Sequence, residues 1–203
     1  MRTSSFLITA LFSGIFATFS AAGEYNKVLK IGDKAPSFTP LPGTDGKSHS
    51  LEEWKDKKAL VIFFTCNSCP TAEDYEDRVI RFTKKYSSRS VGVVAFCVNK
   101  IADDSMEKMK EKAEKKKFPF VYLRDDSQKI AKDFGASYTP EFFLLDQDRK
   151  VVYMGAFDDK NTEAEAKVNY LELATEALLK GDKIEKAETL ARGCMIRYIR
   201  KRD

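Results

Sequence analysis

Val61-Ile62-Phe63-Phe64-Thr65-Cys66-Asn67-Ser68-Cys69-Pro70 joins an apolar run to two cysteines spaced three apart, and the other segments read as scaffold around that junction. The run from Ala59 to Phe64 is short, unbroken and rich in Val, Ile and Phe, as expected of a central strand covered on both faces. From Thr71 to Tyr86, the residues Tyr75, Val79, Ile80, Phe82 and Tyr86 recur close to one helical face, with Glu73, Asp74, Glu76 and Asp77 crowded into the first turns. A strand followed at once by a helix puts Cys66 at or just before the helix N-terminus. There, unpaired backbone N–H groups and the positive end of the dipole favour a thiolate. Cys69 falls one turn further in on the same face, placed to close a small disulfide ring after attack by Cys66. Pro70 sits in the first turn, where its missing N–H costs little.

The same spacing also suits half of a zinc site or a passive structural bridge. A zinc site would need Cys97, Cys194 or His49, the only histidine, and none of these supplies a second close pair. The strand-then-helix placement argues for redox exchange over both readings, with no metal ligands and no cofactor beyond a redox-active Cys66–Cys69 disulfide.

Composition is that of an ordinary globular domain with extensions, at 43% hydrophobic and 33% charged residues in 203. The formal net charge is +4, and a leader containing only Arg2 takes it to +3, too little to argue for nucleic acid or a membrane surface. Lys115-Lys116-Lys117 and the Arg197 to Arg202 tail read as solvated surface. Residues 1–22 differ from the rest: Arg2 precedes an uncharged run from Phe6 to Phe19, and Ser20-Ala21-Ala22-Gly23 follows. This is the pattern of a secretory signal cleaved near Ala22-Gly23, with an uncleaved N-terminal anchor as the alternative. Either way the mature protein is expected in the periplasm or secreted, with no stable membrane insertion after cleavage, in a compartment where disulfides persist.

Taken in order, Leu41 to Ser50 holds Pro42, Gly43, Asp45 and Gly46 and suggests a hairpin extension, with His49 as a surface or turn residue. Val91 to Val98 is a second buried strand in which Cys97 reads as a small apolar residue. Asp103 to Lys117 is a charged helix facing the core through Met106, Met109 and Ala113. A strand over Pro119 to Leu123 and a short helix over Ser127 to Phe134 follow. Phe142 to Leu145 and Val151 to Met154 then form an antiparallel hairpin, and an amphipathic helix from Lys167 to Lys180 stops at Gly181. The expected fold class is α/β, organised as a signal peptide (1–22), a main domain (23–180) and a C-terminal tail (181–203) carrying Gly193-Cys194-Met195-Ile196.

The ordered set Gly32-Asp33-x-Ala35-Pro36-x-Phe38, Phe64-Thr65-Cys66-Asn67-Ser68-Cys69-Pro70 and Tyr138-Thr139-Pro140-Glu141 resembles the thioredoxin-like superfamily. Within it, the set is similar to secreted redoxin-domain proteins of the alkyl hydroperoxide reductase and thiol-specific antioxidant branch. Tyr122-Leu123-Arg124-Asp125-Asp126-Ser127-Gln128 and Gly193-Cys194-x-Ile196-Arg197-Tyr198 extend the likeness over most of the mature chain. The resemblance implies a three-layer sandwich with a central mixed sheet between helices. It also implies Cys66 as attacking thiolate, Cys69 as resolving thiol and Pro140 as a cis-proline, with Thr139 and Thr65 beside the substrate. The chain departs from the branch in three places. It lacks the Pro-x-x-x-Thr-x-x-Cys signature of peroxiredoxins, it has no carboxylate in the strand before Cys66, and it carries Ser68 where relatives often have His. Glu141 is then a candidate proton donor.

Three functions compete. The first is an extracytoplasmic thiol–disulfide oxidoreductase acting on protein or small-molecule thiols and disulfides through a mixed disulfide. The second is a thiol peroxidase, with Cys66 oxidised and resolved by Cys69 or Cys194. The third is a non-enzymatic binding module that keeps the bridge as a staple. Cys194 stays open among a silent structural thiol, a partner for Cys97, a third redox centre and a dimer bridge, so the oligomeric state is open too.

Overall fold

The Ala59–Phe64 run lacks polar alternation because both of its faces are covered. In the computed structural model, which describes residues 23–199, Ala59, Val61 and Phe63 enter one apolar cluster and Leu60, Ile62 and Phe64 enter another on the opposite side. The leader expected over residues 1–22 lies outside the described residues.

In chain order the strands and helices are β1 (Leu41–Pro42), β2 (Ser48–His49), β3 (Ala59–Phe64), α1 (Pro70–Ser87), β4 (Val91–Cys97), α2 (Met106–Lys116) and β5 (Val121–Arg124). They continue with α3 (Lys129–Asp133), β6 (Tyr138–Thr139), β7 (Glu141–Leu145), β8 (Val151–Gly155), α4 (Tyr170–Lys180) and β9 (Cys194–Met195). The main sheet has the order β5-β4-β3-β7-β8, with β3 at its centre. β3 pairs in parallel with β4 and antiparallel with β7, so the sheet is mixed, as expected. Parallel neighbours need a helical crossover and antiparallel ones only a turn, which is why the order of elements changes from strand–helix alternation to the β7–β8 hairpin.

One face of the sheet is covered by α1 and α4, through Tyr75, Val79, Phe82, Leu171 and Ala174. The other is covered by Trp54, by Ile130 and Ala131 of α3, and by Phe134. Each fully buried side chain of this size stabilises the fold by roughly 1.5–3 kcal/mol, so the two clusters fix β3 firmly from above and below. Local chemistry ends the elements where the sequence says it should. Gly181 takes a left-handed φ of 77° and returns its N–H to Ala177 and Leu178 carbonyls, closing α4.

One expectation needs correction here. His49 is buried at 6% exposure, held between Glu53 Oε2 (2.7 Å from Nδ1) and Asp45 (3.1 Å from Nε2). Burial works against its charged form, but the hydrogen bonds to Glu53 and Asp45 outweigh it and raise the imidazole pKa. The C-terminal segment packs along the main sheet and β6. Met154 N–H donates to Ala187 O (3.0 Å), Thr189 N–H to Met154 O (3.0 Å) and Ile196 N–H to Ser137 O (2.9 Å), which lays residues 187–196 along β8 and β6. Among the described residues no helix is long and apolar enough to cross a membrane.

Candidate active site

The helix start is the first determinant of the site: Pro70 opens the first turn as expected, but the cysteine at the helix N-terminus is Cys69, three residues after Cys66, the one expected there. α1 begins at Pro70, and its N-cap is Cys69, in extended conformation with φ −99° and ψ 115°. Ala72 N–H points at Cys69 Sγ (3.4 Å), so the sulfur that receives the unpaired N–H groups and the dipole is Cys69. Cys66 lies before the helix, in the loop leaving β3, and is 3% exposed.

The second determinant is pairing. Cys69 is bonded to Cys194, across 125 residues of chain and with Cα atoms 6.0 Å apart, while Cys66 and Cys97 are free thiols. The expected Cys66–Cys69 ring is therefore not the bond present. Because Cys66 is outside the helix, the two side chains do not share a helical face, and the partner sulfur comes from β9 instead.

Three cysteines meet at one residue, Thr139, which is fully buried. Cys66 Sγ lies 3.5 Å from Thr139 Oγ1, and Cys69 Sγ lies 3.1 Å from Thr139 O. Cys194 is the register partner of Thr139 in the antiparallel β6–β9 pair, and Thr139 Oγ1–H donates to Cys194 O (3.4 Å). The peptide between Thr139 and Pro140 is cis. Thr65, the other residue expected at the substrate, donates its N–H to Phe96 O (2.9 Å) and lines the same cavity as Cys66. That cavity, small enough to take little more than a water molecule, runs between Cys66, Pro140, Phe63, Phe120, Tyr122 and Tyr75.

Between the cysteines, the Asn67–Ser68 loop is held by a residue the sequence reading did not select. Asp104, fully buried in the turn before α2, accepts from Asn67 N–H (2.7 Å) and Ser68 N–H (3.0 Å) through Oδ1, and from Ser68 Oγ–H (2.9 Å) through Oδ2. Ser68 Oγ is also 3.6 Å from Cys66 Sγ, but its single proton goes to the nearer carboxylate. Tyr122 Oη–H donates to Asn67 Oδ1 (3.2 Å), and burial holds its phenol far above the usual value. No spacing in the sequence points to Asp104, which reaches this loop from another element.

Glu141 and Cys97 are set apart from the exchange. Glu141 pairs with Phe64 in the β3–β7 register, and Phe64 belongs to the cluster opposite the one that holds Cys66. Its carboxylate faces away from the sulfurs and accepts from Ser137 N–H (2.7 Å) and Tyr138 N–H (3.0 Å). Burial pushes its pKa up to about 7 against those two N–H bonds, so it titrates near neutrality as a support for the loop before Pro140 and not as a proton donor to sulfur. Cys97 is fully buried in β4, and burial, with Asp104 nearby, pushes its thiol up to about 12. Among the described residues no cluster of His, Cys, Asp or Glu could hold a metal ion.

The Redoxin family model matches residues 30–171, more than half of the chain. A crystal structure of an uncharacterized conserved protein from Geobacillus kaustophilus superposes with a TM-score of 0.80 at 34% identity, covering 85% of this chain and 94% of that one. Thiol-disulfide oxidoreductase ResA of Bacillus anthracis is 27% identical over 144 residues, 70% of this chain and 75% of its own length. Peroxiredoxin Q, chloroplastic, of Sedum lineare is 33% identical over 115 residues, 55% of this chain and 56% of its own length.

Proposed function

Because the chain belongs to the Redoxin family and has its thioredoxin-like fold, we propose that it is a thiol–disulfide oxidoreductase working outside the cytoplasm, with Cys69 as the sulfur on which exchange turns. The observation that carries the reading is the convergence of Cys66, Cys69 and Cys194 on Thr139, with Cys69 at the N-terminus of α1. A disulfide seated there has a ready leaving group, since Ala72 N–H and the helix dipole receive the charge as Cys69 departs.

The reaction balances as a two-electron exchange. A partner dithiol gives up two electrons and two protons to become a disulfide, and the Cys69–Cys194 bond takes them to become two thiols. Run in reverse, the same site oxidises a partner. Cys66 gives the protein a second oxidised form, because its thiolate can attack Cys69 Sγ and release Cys194, making the Cys66–Cys69 bridge. The Pro140 segment, through Thr139, fixes the three sulfurs with respect to one another. An exported protein is the setting in which such a bond persists, and the leader-like residues 1–22 support that location.

Turnover of insulin or an oxidised model peptide by the reduced protein tests the proposal. Catalysis by wild type that is abolished in Cys69→Ser is expected, and absence of turnover by wild type rules the function out. The peroxidase alternative has the peroxiredoxin relatives in its favour. Stopped-flow peroxide consumption no faster than a free thiol excludes it.

A further inference from the structure

We infer that Cys194 is the sulfur through which electrons enter and leave, so that a partner forms its mixed disulfide with the C-terminal strand and not with the Cys66/Cys69 pair. The inference rests on the proposed exchange function and adds which atom meets the partner.

Access is the first argument. Cys66 and Cys69 are 3% and 1% exposed, which leaves no approach for a partner's sulfur while β9 is in place. Cys194 is only part buried, and its neighbour Met195 is 74% exposed. The strand is held there from both sides. Upstream, Thr189 Oγ1 accepts from Ala156 N–H (2.9 Å) and shares a hydrogen bond with Tyr153 Oη (2.7 Å). Downstream, Arg197 N–H donates to Asn99 Oδ1 (3.0 Å) and Ile199 N–H to Gln128 Oε1 (2.8 Å). Gly193 permits the close approach, since a Cβ there would stand 2.1 Å from Thr139 O.

The leaving group is the second argument. Thiol–disulfide exchange runs faster when the departing sulfur is the better-stabilised anion, and attack then falls on the other one. Cys69 has Ala72 N–H and the start of α1, while Cys194 sits in a two-residue strand with neither. A partner thiolate therefore attacks Cys194 Sγ, the Cys69–Cys194 bond breaks, and Cys69 leaves as a thiolate. Once protonated from water, its S–H has an acceptor in Thr139 O at 3.1 Å. A second partner thiolate then attacks the partner sulfur of the mixed disulfide, and Cys194 departs with the electron pair and takes up a proton.

Peptide mapping of the oxidised full-length protein after a short exposure to glutathione, with acid quench and alkylation, reads the attacked sulfur directly. Glutathione on Cys194 with alkylated Cys69 is expected, in wild type and equally in Cys66→Ser, where internal rearrangement is impossible. Glutathione on Cys69 or Cys66, or an unreacted bridge, overturns the inference. Insulin turnover in Cys194→Ser should fall at least tenfold while Cys66 and Cys69 can still pair, and turnover at the wild-type rate also overturns it. If that variant does not fold, the wild-type mapping decides alone. Active wild type with the adduct on Cys69 defeats only this assignment, whereas inactive wild type defeats the exchange function beneath it.

Discussion

Reducing the Cys69–Cys194 bridge should lower folding stability by an amount that identifies which cysteines are joined. The bond closes a loop of 125 residues. Chain entropy removed from the unfolded state by a loop of about that length is worth about 5 kcal/mol at 25 °C, whereas a Cys66–Cys69 bridge closing about four residues is worth about 2. With a urea slope of about 2 kcal/mol/M for a protein of this size, the midpoints with and without a dithiol reductant should differ by about 2.5 M for the long loop and about 1 M for the short one. Urea unfolding of wild type in both states, followed by fluorescence of Trp54, makes the comparison. Cys194→Ala, in which only Cys66 and Cys69 can still pair, should keep a reductant dependence of at most about 1 M. A wild-type shift near 1 M, or a shift that survives unchanged in Cys194→Ala, would refute the long-range pairing.

Other consequences are as specific. Glu141 has a folded pKa of about 7 against an ordinary value near 4.5, so the folded state keeps a proton that the unfolded state releases between those values. Its contribution to stability is full below about pH 4 and is lost as pH rises through 7, on the order of 3 kcal/mol in all. Urea midpoints from pH 4.5 to 8 should show that decline, and Glu141→Gln, which still accepts from Ser137 and Tyr138, should flatten it; an unaltered slope contradicts the assignment. Cys97, fully buried with its thiol pushed up to about 12, should resist iodoacetamide at pH 8 until the protein unfolds, and rapid labelling of the native state would show otherwise. Arg78 and Asp158 form a buried ion pair in which Asp158 also accepts from Tyr75 Oη–H (3.0 Å). Arg78→Ala should cost about 3–5 kcal/mol by stranding the carboxylate, and a melting temperature within error of wild type would refute that.

Much of this architecture was legible because it follows from local rules. The unbroken apolar run of β3, the switch to a hairpin after Pro140, and the stop at Gly181 each have a short-range cause that the sequence displays. The helix start is displayed too, in Pro70, although the strand-to-helix junction alone points to Cys66 as the cysteine at its N-terminus. Proline favours the first helical position, so Pro70 names Cys69 as the N-cap and leaves Cys66 in the loop. The burial of His49 had a signal in its acids four residues either side, Asp45 and Glu53, which could be seen as partners only once the hairpin folded them inward. The Cys69–Cys194 bond and the role of Asp104 had no such signal. Both arise from contacts between distant segments, 125 residues apart in one case and 36 between Ser68 and Asp104 in the other, and spacing along the chain does not encode which distant group arrives. The orientation of Glu141 depends likewise on its register against Phe64.

The most direct test is a redox titration read by mass-mapped alkylation. The protein is equilibrated across dithiothreitol buffers of graded potential, quenched and digested, and the label on each cysteine is counted. Cys69 and Cys194 gaining label together in one two-electron transition, with Cys97 silent throughout, is the expected result. A Cys69–Cys194 bridge that stays closed at the most reducing potential, or a Cys194 that is alkylated at every potential, would contradict it.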